Sequence, residues 1–514
     1  MNDLLGMDKS NEDASLLSSP QQRKWILAGA CVALMAVIAA VSGLNVSQQQ
    51  MAVALNSTQN EVFWIVNIYA VSLAALLLPM GAVGDRVGSR DGLIYGLILF
   101  SLANVISFAA PNLYIMLFAR TLSGVAAALV MPVTLAVITS NFPKDERSKA
   151  IGIWTAVAGG GGIIGMFLSA FLVDVVSWRW LFVLPVILAI VSLAITIKKI
   201  PNSTLAVKDP FDFYGAFWAI ISVLSMIIAL DSIAKSGWCS PMSVGSMLVG
   251  VIGTICFINQ ESRSIKPLLE LRFLSDKSLL MGAATLFVLF GVQAGVFIVI
   301  FPYFQSVLHW SGLKATSALM PMAFVMMAAS GMGSKITKKI GLVITIALGV
   351  LLSGLGLAYM AMSVSFESGY MALLPGMLAW GIGTGLAMAP STEIITWSIP
   401  PEKQGVASAI NDLTRELGTA LGVTILAGVF ATQYHTSVNQ HQNSESSDLW
   451  ETIHMGIAHA IESADQSLIQ IAKVSFIDGW RSSMWAGVLI LAMLFMYILA
   501  TEYIDNYWRK KHAS

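Results

Sequence analysis

The chain alternates long blocks of apolar residues with short polar connectors. The blocks show neither the strict alternation of a half-buried strand nor the polar stripe of a surface helix. Each is 18 residues or longer, which on an α-helix is enough to cross a hydrocarbon core of about 30 Å. Fourteen spans are expected: 25–46, 62–83, 92–110, 114–140, 149–173, 180–197, 213–232, 242–259, 278–305, 315–334, 341–363, 369–391, 405–432 and 481–501. A transmembrane β-barrel would show short segments of alternating apolar and polar residues instead. The expected fold class is an all-α polytopic membrane protein.

Composition agrees with the pattern. Of 514 residues, 56% are hydrophobic and only 11% charged, against about a quarter charged in a soluble domain. Residues 1–24 are polar and lack the apolar core of a signal peptide, so the first span is expected to stay in the mature chain. Cys31, Cys239 and Cys256 are too few and too scattered for a disulfide framework or a metal site, and read as packing residues. The net charge of zero says nothing of partners, whereas the placement of the charges does. An even number of spans puts both termini on one side. Counting the first residue of a span with the loop before it, the tails and the loops on that side hold 22 Lys and Arg; the opposite loops hold five, Arg179, Lys235, Lys314, Lys473 and Arg481. This bias places both termini in the cytoplasm.

The expected organisation is a cytoplasmic tail at 1–24, a six-helix half at 25–200, two linking helices with their flanking loops at 201–277, a second six-helix half at 278–501, and a tail at 502–514. The second half includes a long outer loop, 433–480. Its segment DLWETIHMGIAHAIESADQSLIQIAKVSF fits an amphipathic helix lying on the membrane or capping the outer mouth. His435, His441, His454 and His459 in this loop match no metal-binding spacing and read as solvated. The halves look related: GAVGDRVGSRDGL and GSKITKKIGL are both basic turns ending in Gly-Leu, and spans 5 and 13 are both glycine-rich. Duplicated halves around a midplane site suit a transporter that rocks between two states.

Span 13, GVASAINDLTRELGTALGVTILAGVF, carries Asp412, Arg415 and Glu416 in an otherwise apolar run. On a helix Asp412 lies about 10 Å past Gly405 and Glu416 about 16 Å, toward mid-membrane. Spacings of i,i+3 and i,i+4 put all three on one face. Arg415 would neutralise one acid and leave the other to exchange a proton as its access changes. The alternative is a structural ion pair near the cytoplasmic mouth.

Gly81-Ala-Val-Gly84-Asp85-Arg86-Val-Gly88-Ser-Arg90, preceded by Trp64 and Tyr69, matches a known loop 2–3 signature. Through it nearly the whole chain resembles the major facilitator superfamily, in its fourteen-helix drug:proton antiporter branch. The glycines allow a tight turn and close helix approach. Asp85 is suited to a cationic partner or a helix N-terminus, and Arg86 and Arg90 to acidic groups or anionic lipid. The resemblance implies that Gly81, Asp85, Arg86, Gly88 and Arg90 latch the outward-facing state from the cytoplasmic side; the alternative is an ordinary basic turn. Arg120 and Gly124 in FARTLSGVAAALVMP resemble a span-4 motif whose arginine is associated with proton coupling. The alternative there is an arginine snorkelling to the outer end of its span, about six residues away.

Span 5 keeps the small residues of the antiporter signature, Gly159, Gly165 and Ser169, which allow close helix packing, and the following Trp178-Arg179-Trp180. Met166 stands where the family has proline. In span 1, alignment on Asn45-Val46 puts Ala40 where the family usually has aspartate and Gln49 at a usual proline position. The branch resembling quaternary-ammonium exporters carries acids near positions 412 and 416. The resemblance therefore implies that Glu416, with Asp412, supplies the proton or cation site missing from span 1. Asn67, Tyr69, Gln293 and Trp380 are further candidates for a substrate cavity, although a lone amide or aromatic in such a helix also serves as packing glue. Asp174 and Asp231 lie near outer span ends and receive no role.

The expected function is proton-coupled export of small amphipathic or cationic compounds (drugs, antiseptics or a toxic metabolite) by alternating access, from a multi-pass monomer in the inner membrane. The alternative is a facilitator, or a proton symporter for a small metabolite, in the same fold. No enzyme activity, cofactor, metal or nucleic-acid partner is expected. No GxxxxGK[ST] loop occurs, GGGG at 159–162 lies inside a span, and no nucleophile–base or metal constellation is found near a membrane face.

Overall fold

The computed structural model describes residues 19–42, 44, 47–201, 210–365, 368–440, 457 and 466–512. Among the described residues all regular structure is helical, and fourteen helices are long and apolar enough to cross a membrane. They are α1 (Pro20–Ser42), α2 (Gln59–Val87), α3 (Ser89–Ala109), α4 (Leu113–Asn141), α5 (Lys144–Val175), α6 (Val183–Lys199), α7 (Phe213–Ser236), α8 (Pro241–Arg263), α9 (Lys277–Pro302), α10 (Gly312–Ile340), α11 (Leu342–Ser363), α12 (Tyr370–Trp397), α13 (Gln404–Gln440) and α14 (Gln466–His512). The face where α1 begins and α14 ends is called the terminal face below.

Local chemistry sets the boundaries. A capping box opens α2: the Thr58 hydroxyl accepts from the Glu61 amide, and the Glu61 carboxylate accepts from the Thr58 amide at 2.8 Å. That backbone bond, with the Thr58 hydroxyl, holds the Glu61 carboxyl below the usual range. A single left-handed glycine separates α2 from α3 (Gly88, φ 94°) and another α10 from α11 (Gly341, φ 89°). The turn between spans 2 and 3 is therefore tighter than expected. Gly81 to Val87 belong to the last turns of α2, and the equivalent of Gly341 is Gly88, not Gly92.

Packing repeats with an offset of eight helices. In the first half α1 packs on α4, α5 and α6, and α4 also packs on α2 and α3. In the second half α9 packs on α12, α13 and α14, and α12 also packs on α10 and α11. The halves meet through α2 against α13 and α5 against α10, a pair of contacts that the same offset interconverts. The inserted α7 lies against α2 and α13, and α8 packs on α7.

Where helices cross most closely, glycine is required. A methyl added at Gly422 would overlap the Gly291 carbonyl, and one added at Gly418 the Phe287 carbonyl, so α9 and α13 touch backbone to backbone. Gly422→Val is expected to abolish the monodisperse peak in fluorescence-detected size exclusion, whereas Gly428→Ala, with nothing near its added methyl, leaves it intact.

The connection between α13 and α14 differs from the expected loop 433–480. Helix α13 continues to Gln440 and α14 begins at Gln466. Hydropathy marks only the apolar part of each helix. The extensions are held in place by both kinds of contact: the Ser437 hydroxyl donates to Asp478 at 2.8 Å, and Phe476 meets Phe430, in the apolar run of α13, edge-on at 5.1 Å. Residues 466–476 of the expected amphipathic segment are thus the start of α14. His441, His454 and His459, like Asn45, Val46 and residues 1–18, lie outside the described residues.

Candidate functional site

Helix α13 buries Ser408, Asn411, Asp412 and Arg415 on one stripe. Asp412 is fully buried, and its Oδ1 accepts from the Asn411 side-chain Nδ2 (3.0 Å) and from Arg415 Nη1 (3.3 Å). The guanidinium carbon of Arg415 lies 4.2 Å from the Phe290 ring centre on α9 and 5.9 Å from that of Trp154 on α5. One cation therefore stands between aromatic rings of opposite halves. Trp154 is itself fixed by donating to Thr134 on α4 at 3.0 Å. Among the described residues Asp412 Oδ2 and Arg415 Nε have no hydrogen-bond partner, an arrangement that costs free energy away from water.

Glu416 does not join that stripe. It is half-buried and lines a cavity of about 220 Å³ between α2, α7 and α13. Among the described residues its carboxylate makes no hydrogen bond and no ion pair. Arg415 and Tyr69 remain within electrostatic reach of it. Asn67 lines the same cavity, as does Asp231, which received no role on sequence grounds.

Arg120 is fully buried and does not snorkel. Its guanidinium carbon sits 4.4 Å over the Tyr69 ring, its Nε donates to the Ile65 carbonyl at 3.3 Å, and both terminal nitrogens lack partners among the described residues. Tyr69 in turn donates to the Val37 carbonyl at 3.2 Å. Gly124 makes this possible, because a methyl there would lie 2.6 Å from the Tyr69 carbonyl oxygen. Gln293 and Trp380 are buried in the second half, Trp380 against Phe297 at 5.8 Å. Of the four expected cavity residues, Asn67 therefore lines the cavity of Glu416, Tyr69 lies against Arg120, and Gln293 and Trp380 are buried in the second half.

On the terminal face Asp85 accepts from the backbone amides of Gly405 (2.7 Å) and Val406 (3.0 Å), so the end of α2 caps the N-terminus of α13. Of the two settings open to Asp85, the structure selects the helix N-terminus. The contact needs Gly81, whose added methyl would lie 2.6 Å from the Gly405 carbonyl oxygen. Arg86 donates to the Ala82 and Pro210 carbonyls and lies 5.2 Å from the Phe211 ring centre, which ties α2 to the segment entering α7. Arg90 donates to the Ile197 carbonyl at 3.3 Å and meets the neighbouring Asp91 at 3.4 Å. Lys403, just before α13, binds Glu270 at 2.9 Å.

In α5, Gly159 faces Met388 and Met326 of the other half, Gly165 faces Ala39 and Ser42 of α1, and Ser169 is buried. Sequence reading missed Glu393, which is buried on α12 and accepts from the Ser148 hydroxyl of α5. The signal was there: Glu393 is an isolated acid in the apolar run LAMAPSTEIITW. Ser330 on α10 adds a third tie between the halves by donating to the Gly152 carbonyl at 3.0 Å.

The chain as a whole is similar to known transporters and resistance proteins. The chain is 25% identical over 450 residues to the multidrug resistance protein Stp of Mycobacterium tuberculosis, covering 84% of this chain and 83% of that one. It is 26% identical over 480 residues to the methyl viologen resistance protein SmvA of Salmonella typhimurium, covering 89% and 94%. To the multidrug efflux pump LfrA of Mycolicibacterium smegmatis it is 27% identical over 377 residues, covering 73% and 74%. The crystal structure of the human organic anion transporter MFSD10 (TETRAN) shares the fold at a TM-score of 0.58 and 14% identity, covering 92% of this chain and all of that one. The family model described as Major Facilitator Superfamily matches residues 28–423. With two packed six-helix halves and a match spanning most of both, the chain belongs to the Major Facilitator Superfamily.

Proposed function

We propose that this transporter exports small amphipathic or cationic compounds, drugs and antiseptics among them, in exchange for protons. It would act by alternating access as a monomer of the inner membrane, since each chain contains both halves of the pathway. The names of its relatives support drug export. The observation that carries proton coupling is the pair of acids on α13, Asp412 fully buried and Glu416 half-buried in the cavity beside α2. An ionisable group there is costly and is kept when it binds a proton or a cation.

The positive-inside bias puts the terminal face in the cytoplasm, and there the halves are tied by Asp85 to α13, Ser148 to Glu393 and Ser330 to Gly152. Opening that face requires α13 to leave Asp85. Protonation of Glu416 or Asp412 changes the charge on the same rigid helix, so proton and cargo occupancy bias the latch from one element. Nothing in this cycle makes or breaks a covalent bond.

Purified protein in liposomes, given an imposed pH gradient and a radioactive lipophilic cation, tests the reading. Cation movement opposite to the proton gradient is expected. Movement with the protons would mean a symporter, and movement indifferent to the gradient a facilitator; either overturns the proposal.

A further inference from the structure

We propose that Glu261 and Asp212, at the terminal-face ends of the two inserted helices, form a proton-binding site that sets how firmly the latch closes. Asp212 caps α7, its Oδ1 accepting from the Gly215 amide at 2.7 Å. Glu261 lies in the last turn of α8 and is only 3% exposed. Its Oε2 accepts from the Leu269 amide at 2.9 Å, and its Oε1 has no hydrogen-bond partner among the described residues. That orphan oxygen is aimed at Asp212. A methyl added at Gly215 would overlap Glu261 Oε1 and lie 3.1 Å from Asp212 Oδ2, so the two carboxylates face each other across this glycine. Among the described residues neither makes an ion pair. Gln260 Nε2 stands 3.4 and 3.5 Å from the Asp212 oxygens. Lys403, before α13, is within electrostatic reach of Glu261 but is held by Glu270 at 2.9 Å, and Glu270 also pairs with Arg272. Two carboxylates this close and this buried do not both ionise cheaply, and one proton relieves the repulsion and the burial together. A metal ion would need more oxygens, and no third acid, histidine or cysteine completes a metal-binding group here among the described residues. A proton needs one oxygen, which Oε1 supplies.

Both carboxylates are tied to the latch. Pro210, two residues before Asp212, accepts from Arg86 at 3.1 Å. Leu269, held by Glu261, precedes Glu270, which holds Lys403 two residues before Gly405. Gly405 is where Asp85 binds the start of α13. Asp85, Arg86, Leu268, Glu270 and Lys403 accordingly line one cavity of about 370 Å³. With the proton on Oε1, Glu261 keeps Leu269 seated and the segment before α9 closes against α2 and α13. Loss of the proton puts a second buried charge beside Asp212. The charged Glu261 is a better acceptor for the Leu269 amide, but one stronger bond does not offset two like charges out of water. The segment around Leu269 then lifts to admit water and takes Glu270 from Lys403. Acid at the terminal face therefore holds the latch shut, and alkali loosens it. On the export reading, on which this purpose alone rests, the pair is a brake that stops proton entry into an already acidified cytoplasm.

The test uses the full-length protein in lipid nanodiscs, with spin labels at the exposed Val87 and Glu402 and with neither substrate nor gradient. A step from mildly acidic to mildly alkaline pH should enlarge the longer-distance population about tenfold or more, within the ordinary range of coupling between two sites. Glu261→Gln keeps an acceptor for Leu269 but cannot ionise, and should stay in the short-distance state at both pH values. Asp212→Asn keeps the cap of α7 and should flatten the response as well, which covers the case of a Glu261→Gln protein that does not fold. Infrared difference spectra over the same step read the proton itself. A protonated-carboxyl C=O band is expected to vanish in the wild type and to be missing from Glu261→Gln. Wild-type distances indifferent to pH, a full pH response in either folded variant, or an unchanged C=O band in Glu261→Gln would overturn the site. Transport is read separately, so a chain that proves to be a symporter or a facilitator overturns antiport and leaves the site standing.

Discussion

Glu416→Gln is expected to cut substrate-driven proton release by about 100-fold, the scale on which a positioned proton-transfer group matters, while the protein remains folded. Glutamine keeps the size and polarity of the side chain but carries no exchangeable acid proton. Because the Glu416 carboxylate makes no hydrogen bond or ion pair among the described residues, its replacement breaks no structural contact. The melting temperature should hold or rise slightly, since an unpaired charge in a low-dielectric place is removed. Asp412→Asn is the informative contrast. It leaves Arg415, buried between Phe290 and Trp154, without its anion, and breaking a buried pair costs about 3–5 kcal/mol. That variant should lose stability together with transport. Undiminished proton release in both variants, with unchanged melting of Asp412→Asn, would make these acids passengers.

Asp85→Asn is expected to shift the protein away from the state closed at the terminal face. The carboxylate accepts from two consecutive backbone amides at the start of α13. Asparagine offers one acceptor oxygen and turns an N–H₂ group toward the other amide. Loss of these charge-assisted bonds is worth about 3 kcal/mol, roughly 100-fold in the conformational equilibrium. Spin labels at Val87 and Glu402, both exposed beside the contact, report it as a distance. The variant should show a longer-distance population that is minor in the wild type, with slower transport. A distance distribution identical to wild type would mean that the contact does not hold the state.

Much of this protein was legible before its fold. Spans follow from the cost of placing polar backbone and side chains in hydrocarbon, which is a property of local composition. For the same reason, isolated charges such as Arg120, Asp412 and Glu416 stand out from their surroundings. What escaped were pairings between distant positions. The acceptor at Asp85 meets backbone amides 320 residues away, and backbone leaves no signature in the sequence. Ser148 and Glu393 are 245 positions apart and meet only because α5 packs on α12. Asp231 was set aside as an acid near a span end, and only the seating of α7 against α2 and α13 brings it to the cavity of Glu416. Spans apolar on every side also give no cue to which face turns inward, so the sequence does not show that Asn67 borders the cavity of Glu416 while Tyr69 lies against Arg120. The extensions of α13 and α14 escaped because their polar residues pair with each other above the apolar run.

The central claim is that the acids of α13 couple cargo to protons. Its most direct measurement uses liposomes with a pH-sensitive dye inside, and compares wild type, Glu416→Gln and Asp412→Asn after addition of a lipophilic cation. The account predicts cation-dependent proton release in the wild type and its loss in both variants. Cation flux that is equal in all three proteins and releases no protons would contradict it.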